Sequence, residues 1–239
     1  MILFISRLVS GCSNPEEESL KDDDSIISEE TKEKELEEKA EEVAEEKLSG
    51  NPAQEKAFKS AKDFLSYLSF SKEGLIEQLE HDGHKSEDAR FAVDSLNTDW
   101  LEQAEKSAKS YLDYGAFSKS DLAQQLEYVG FTKEEAVHGA QNSGGDWLEQ
   151  AEKVAKNYLE EEAFSKIGLI EKLEDLGFTR EEAVHGVEKV EGDWFEQAVK
   201  AGKNYLEYGS FSRDDLITQL EFVGFATEEA VYAVEEIGL

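Results

Sequence analysis

From residue 53 onward, apolar and polar positions follow the spacing of amphipathic helices, with apolar residues three or four positions apart. The clearest example follows Asp99 and carries a set of apolar side chains at this spacing: Ala104, Ala108, Tyr111 and Leu112. Because Asp99 is a residue type that accepts hydrogen bonds from the first free amides of a helix, it marks a start. The pattern predicts a long helix from Asp99-Trp100 to about Tyr114.

Two shorter helices are predicted after this long one. The first follows Ser118 and ends at Gly130, because glycine readily takes the left-handed conformation that closes a helix. The second starts at Thr132, which forms a capping box with Glu135. The long helices share an analogous acidic pair at their starts: Asp99 with Glu102, Asp146 with Glu149, and Asp193 with Glu196. In the outer units the hydroxyl of the third helix is shifted by one residue, to Ser86 and Thr227.

The whole pattern recurs every 47 residues. The tryptophans show the period, and so do the glycines that end the second helices: Trp100, Trp147 and Trp194; Gly83, Gly130, Gly177 and Gly224. The sequence therefore predicts an all-α fold of tandem three-helix repeats stacked as a short array, with repeats at 53–98, 99–145, 146–192 and 193–239. We expect neighbouring repeats to share helices and core, because one unit of this length is marginally stable alone. We expect the tryptophans to be repeat-junction core rather than partner anchors, and the outer repeats to act as caps.

The start of the chain resembles the signal sequence of bacterial lipoproteins. An apolar opening ends in Val9-Ser10-Gly11-Cys12, which is similar to a lipobox, and Cys12 is the only cysteine. The resemblance implies cleavage before Cys12 and acylation of its sulfur and amine. Residues 1–11 lack a basic region, so we expect them to be part of a longer signal peptide. Residues 12–52 are expected to form an acidic linker, disordered or partly helical, because residues 1–52 hold 16 acids against six bases.

Charge and composition exclude several classes of function. The formal net charge is −31, so we exclude a nucleic-acid binder, whose surface must neutralise phosphates. We expect neither enzyme activity nor a cofactor, since no phosphate-binding loop or nucleophile motif is present. A metal site is also not expected: His138 and His185 are equivalent, but the other repeats place Phe91 and Tyr232 there. The acidic repeats can attract a basic protein segment, or their charge can serve solubility alone.

The second repeat carries a motif that extends into the start of the third. Its residues are Tyr111-Leu112, Phe117-Ser118, Leu122, Gln125-Leu126-Glu127, Gly130-Phe131-Thr132, Glu134-Glu135-Ala136 and Asp146-Trp147. This motif resembles that of the Ltp family of host cell surface-exposed lipoproteins. The resemblance covers about residues 53–239 and implies helix-turn-helix-like repeats held outside the membrane by a lipid anchor. Similarity to ubiquitin-associated domains is interpreted as shared three-helix geometry.

The family resemblance also implies a function. Members from temperate phages of Gram-positive bacteria are associated with superinfection exclusion, in which entry of another phage's DNA is blocked by engaging a phage protein such as the tape-measure protein. We therefore expect a membrane-anchored extracellular lipoprotein of a Gram-positive bacterium or its prophage. The alternative is a structural or adhesion module of the cell surface with no phage role.

Overall fold

The computed structural model describes residues 50–239. The expected lipidation site Cys12, its lipobox Val9-Ser10-Gly11 and the acidic linker up to residue 49 lie outside the described residues.

The described chain consists of helices arranged in four consecutive groups of three, each a long helix followed by two short ones. The first group is α1 (Pro52–Tyr67), α2 (Lys72–His81) and α3 (Ser86–Asp94), and the second is α4 (Trp100–Tyr114), α5 (Lys119–Tyr128) and α6 (Lys133–Asn142). The third is α7 (Trp147–Glu161), α8 (Lys166–Asp175) and α9 (Arg180–Lys189), and the fourth is α10 (Trp194–Tyr208), α11 (Arg213–Phe222) and α12 (Thr227–Ile237). No strand occurs among residues 50–239, so the expected all-α fold of three-helix repeats is confirmed.

Side-chain caps explain most of the helix starts. Asp99 Oδ1 accepts hydrogen bonds from the amides of Leu101 and Glu102 at 3.0 and 3.2 Å, which satisfies two of the free donors of α4. Thr132 and Glu135 form the expected capping box at α6, and Thr179 and Glu182 form the same box at α9. The second helix of every repeat ends at a glycine with φ between +88 and +92°, as predicted for Gly130 and its equivalents.

The third helices of the outer repeats start differently from those of the inner ones. Ser86 and Thr227 are the first residues inside α3 and α12, so their hydroxyls are not at the capping position. Lys85 and Ala226 occupy that position and make no side-chain cap. At α12 the Glu229 carboxylate still accepts from the Ala226 amide at 2.8 Å, which keeps half of the capping box.

Each repeat has a hydrophobic core of its own. Two leucines of every second helix are fully buried there: Leu75 and Leu79, Leu122 and Leu126, Leu169 and Leu173, Leu216 and Leu220. The four cores are separate clusters, and neighbouring repeats contribute only single side chains to their edges. The expectation that repeats share helices and core is therefore wrong, and small residues account for the difference.

Small residues allow the long and third helices of one repeat to approach closely. A Cβ added at Gly139 in α6 would lie 2.7 Å from the carbonyl carbon and oxygen of Ala104 in α4, and Gly186 stands in the same relation to Ala151. The helices can therefore close around the paired leucines within one unit. Close packing of this kind lets a short three-helix unit bury its apolar faces without a neighbour.

Candidate binding surface at the repeat junctions

A serine hydroxyl connects each repeat to the next. Ser71 caps α2 by accepting from the amide of Gly74 at 2.9 Å, and it donates to the carbonyl of Val129 in the second repeat at 2.6 Å. Ser118 and Ser165 make the same pair of contacts, donating to the carbonyls of Leu176 and Val223. All three serines are at most 2% exposed. One hydroxyl thus caps its own helix and fixes the position of the following repeat.

The glycine that ends each following second helix provides room for this contact. A Cβ at Gly130 would lie 2.8 Å from Ser71 Oγ, and one at Gly224 would lie 2.8 Å from Ser165 Oγ. The equivalent Gly83 of the first repeat has nothing within 4 Å of that point. These glycines therefore serve both the helix end, through their positive φ, and the junction, through their lack of a side chain.

At the second and third junctions, a glutamine on the following long helix makes a second polar contact, whereas the buried Oε1 of the equivalent Gln103 at the first junction has no hydrogen-bond partner. Gln150 Oε1 accepts from the amide of Phe117 at 3.2 Å, and Gln197 Oε1 accepts from the amide of Phe164 at 3.4 Å. Both glutamines are buried. The loop between the first two helices of one repeat is thus held by the long helix of the next, because a buried amide without an acceptor is costly.

The three tryptophans lie at the junctions and are half-buried. Trp100, Trp147 and Trp194 each begin the long helix of one repeat but pack against the core of the preceding repeat. Lys119 Nζ lies 5.1 Å from the ring centre of Trp147, within the range of a cation–π contact. The rings close the end of the preceding core, while part of each ring stays in contact with solvent.

Beside each contact the junction opens into a cleft. The cleft lies between the loop that follows one long helix and the last two turns of the next long helix. We call these clefts the first, second and third junction clefts; their volumes are about 560, 680 and 690 Å³. Equivalent residues of the following long helix line all three, among them Tyr111, Tyr158 and Tyr205.

Large aromatic side chains are exposed at these clefts. Tyr114 is 95% exposed and lines the first cleft, while Tyr208 and Phe222, 91% and 84% exposed, line the third. Tyr128 is 86% exposed and lines the second. These rings were not predicted from the sequence to be exposed at a site, although one signal was available: they lie off the apolar face of their helices, where a core role does not account for them.

The second cleft also contains an ionisable group in an unusual setting. Asp121, near the start of α5, lines this cleft. Burial raises the pKa of its carboxyl above the ordinary value, and a hydrogen bond with Ser118 partly offsets this. Repeats one and three have Gly74 and Gly168 at the same position, so the carboxylate is not required for the junction itself.

The repeat pattern decides which family the chain is part of. The family model for the Ltp lipoproteins, described as host cell surface-exposed lipoproteins, matches it four times, at residues 53–96, 99–142, 146–190 and 193–237. The chain belongs to the Ltp lipoprotein family. No curated relative and no solved structure matches it.

Membership of the Ltp family places this chain among the lipoproteins exposed on the host cell surface, which associate with the membrane. No helix among residues 50–239 is long and apolar enough to cross a bilayer. Association of an Ltp lipoprotein with its membrane is consistent with a lipid anchor, whose expected attachment site is Cys12.

Two histidines of this Ltp lipoprotein contact polar side chains. His138 Nε2 lies 2.7 Å from Glu105 Oε1, and His84 Nε2 lies 3.2 Å from Ser60 Oγ. Over the described part of the chain, no group of three or more histidine, cysteine or acidic side chains is arranged to hold a metal ion.

Proposed function

We propose that this Ltp lipoprotein prevents the DNA of an incoming phage from entering the cell by binding a protein that the phage injects, such as the tape-measure protein. The observation that carries the proposal is the family match over all four repeats, because family members from temperate phages are associated with superinfection exclusion. A Gram-positive host or its prophage as the source is part of the same proposal.

The proposed anchor places the repeats where phage DNA enters. Acylation of Cys12 would attach the chain to the outer face of the cell membrane, and residues 13–52 would act as a tether. Two or more acyl chains hold a protein on a bilayer far more firmly than one chain does. A tether raises the local concentration of the repeats at the membrane, so a modest affinity for an emerging phage protein would be sufficient.

Charge supports a protein partner rather than DNA. Residues 53–239 contain 40 acidic and 19 basic residues. This excess repels the phosphates of DNA and attracts a basic polypeptide segment. Attraction of this kind speeds association, which matters when the partner is exposed only briefly during injection.

The anchor is tested by acylation and fractionation. Expressed with its complete signal peptide in a Gram-positive host, the protein should incorporate labelled fatty acid and fractionate with membranes. The Cys12→Ser variant should lose the label and either leave the membrane or accumulate as an uncleaved precursor. Membrane retention of this variant equal to the parent, with no label in either, would contradict the lipoprotein anchor.

The block of DNA entry is tested by separating adsorption from injection. Cells that make the protein should adsorb a panel of phages of the host normally but show reduced potassium efflux and reduced entry of labelled DNA for the sensitive phages. Cells that make Cys12→Ser at the same level are the matched control, since the repeats are unchanged and only the anchor is lost.

Two results would contradict exclusion at entry. Reduced adsorption would mean that the protein masks a receptor instead of stopping DNA. Unimpaired infection by every phage of the panel would favour a structural or adhesion module of the cell surface.

A further inference from the structure

We propose that the third junction cleft, between repeats three and four, docks a polypeptide segment whose apolar side chains are flanked by lysine or arginine. This inference rests on the proposed function, since the segment would belong to the captured phage protein.

The third cleft combines an apolar lining with an acid. The first cleft also exposes Tyr67, Leu68 and Tyr114, but its one charged lining residue is Lys106, where the third cleft has Glu171. Tyr208, Phe222 and Ile167 line the third cleft and are 91%, 84% and 54% exposed, so three large apolar side chains of two repeats face solvent at one place. Exposed apolar side chains gathered in a concave site are typical of an interaction surface rather than of ordinary surface.

The repeats of the chain provide an internal comparison. Repeat three has Glu161 and Asp175 at the positions that Tyr208 and Phe222 occupy in repeat four. At the position of Ile167, the first two repeats have Glu73 and Ser120. Because these polar residues occupy equivalent places in the same fold, the apolar set of the third cleft is not needed to form a junction.

The contacts that join repeats three and four do not involve Tyr208 or Phe222. At the third junction, repeats three and four are joined by the hydrogen bond from Ser165 to Val223, by the contact between the Phe164 amide and Gln197, and by packing of Trp194. Tyr208 and Phe222 take part in none of these contacts. Their apolar surface is therefore available to a partner.

Charge defines the flanks of the partner. Glu171 is the one charged side chain among the cleft-lining residues. Of the exposed charged residues that directly precede Tyr208, Phe222 and Ile167, two are acids, Glu207 and Glu221, and one is a base, Lys166. The repeats as a whole carry 40 acids against 19 bases. A segment that places apolar side chains in the cleft and cations beside it matches both the apolar lining and the acidic surroundings. An acidic or purely polar segment does not match this combination.

The test is direct binding of a defined probe to the full chain, made without lipid as Cys12→Ser. The probe is a synthetic peptide of leucine and lysine with its leucines at helical spacing, and the control probe has serine in place of each leucine. Calorimetry should show binding of the leucine peptide and at least about tenfold weaker binding of the serine peptide, because apolar anchors dominate such contacts.

The deciding variant is Tyr208→Glu with Phe222→Asp, which gives repeat four the acids that repeat three already has at these positions. It should weaken leucine-peptide binding at least about tenfold, even though it adds two negative charges. The matched control is Tyr114→Glu with Tyr128→Asp in repeat two, which makes the same charge change at equivalent exposed positions. It should change the affinity by less than about twofold, since Tyr114 and Tyr128 line the first and second clefts and not the third.

Three results would contradict the docking of this segment in the third junction cleft. Unchanged or stronger binding by the repeat-four variant would show that charge alone attracts the peptide. Equal weakening by both variants would show that the site is not the third cleft. If the repeat-four variant loses peptide binding but cells that make it still exclude phage, the cleft does not dock the phage protein, while the proposed function stands.

Discussion

Ser118 makes two hydrogen bonds, one within its own helix and one to the next repeat. Its oxygen accepts from the amide of Asp121 within its own helix, and its proton goes to the carbonyl of Leu176 in the next repeat. Ser212 occupies the same place in repeat four, is exposed, and donates to Asp215 instead. Comparing the two serines therefore separates the stability that a helix cap contributes from the stability that the hydrogen bond across the junction contributes.

We predict that Ser118→Ala destabilises the protein by about 2 kcal/mol, because it removes a cap and leaves the half-buried carbonyl of Leu176 without its donor. Ser212→Ala should cost about 1 kcal/mol or less, as expected for an exposed cap. Chemical denaturation followed by circular dichroism measures both. Equal costs would mean that the bond to Leu176 adds nothing to stability.

The sequence predicted that a helix starts at Ser118, but it did not predict the second hydrogen bond of this residue. A cap is visible because the acceptor and the amide that it serves are three residues apart. The Leu176 carbonyl is 58 residues away, and it comes within reach only when one repeat is placed against the next. Tyr208 and Phe222 were missed for a related reason, since their shared cleft exists only in the folded junction.

At the scale of elements, each long helix after the first packs in the core of its own repeat and covers the edge of the preceding core with one tryptophan. One face of α7 packs in the core of repeat three, while Trp147 at its start packs against the core of repeat two. The 47-residue period and the acidic cap at Asp146 predicted where this helix begins. The periodicity did not predict that the ring would be only half-buried, because its exposure depends on how far the neighbouring repeat extends over it.

Trp147→Ala tests the contribution of this contact. We expect a loss of about 2 kcal/mol, below the roughly 3 to 5 kcal/mol of a fully buried tryptophan, because part of the ring is already in water. Hydrogen exchange of the amides of α5 and α6 should rise more than that of α11 and α12, since the ring closes the core of repeat two. A stability change below about 1 kcal/mol would give a role in partner binding more weight.

At the scale of the whole molecule, separate cores and equivalent junctions make the repeat the unit of stability. The serine, the glycine and the glutamine that connect repeats three and four are the same residue types as those that connect repeats two and three. The stability of such a chain is approximately a sum of terms for repeats and for junctions.

We therefore predict that deletion of residues 146–192 leaves a folded protein. Gly145 would then be followed by Asp193, and Ser118 would meet the Val223 carbonyl in place of that of Leu176. Helical content per residue, measured by circular dichroism over residues 50 onward, should be unchanged, and unfolding should remain cooperative. As the control, deletion of 146–169 removes half of a repeat and should expose the leucines of a broken core. Loss of helix in the whole-repeat deletion would show that the junctions are not interchangeable.

Interchangeable junctions have a consequence for how the gene can change. Segments that encode equivalent repeats of 47 residues can recombine with one another in frame, and the product gains or loses one complete unit. Because each boundary has the same serine donor and a backbone carbonyl as its acceptor, the new junction keeps the hydrogen bond that joins the repeats. Copy number can then vary in single steps, while point substitutions at positions such as 208 and 222 change each unit separately.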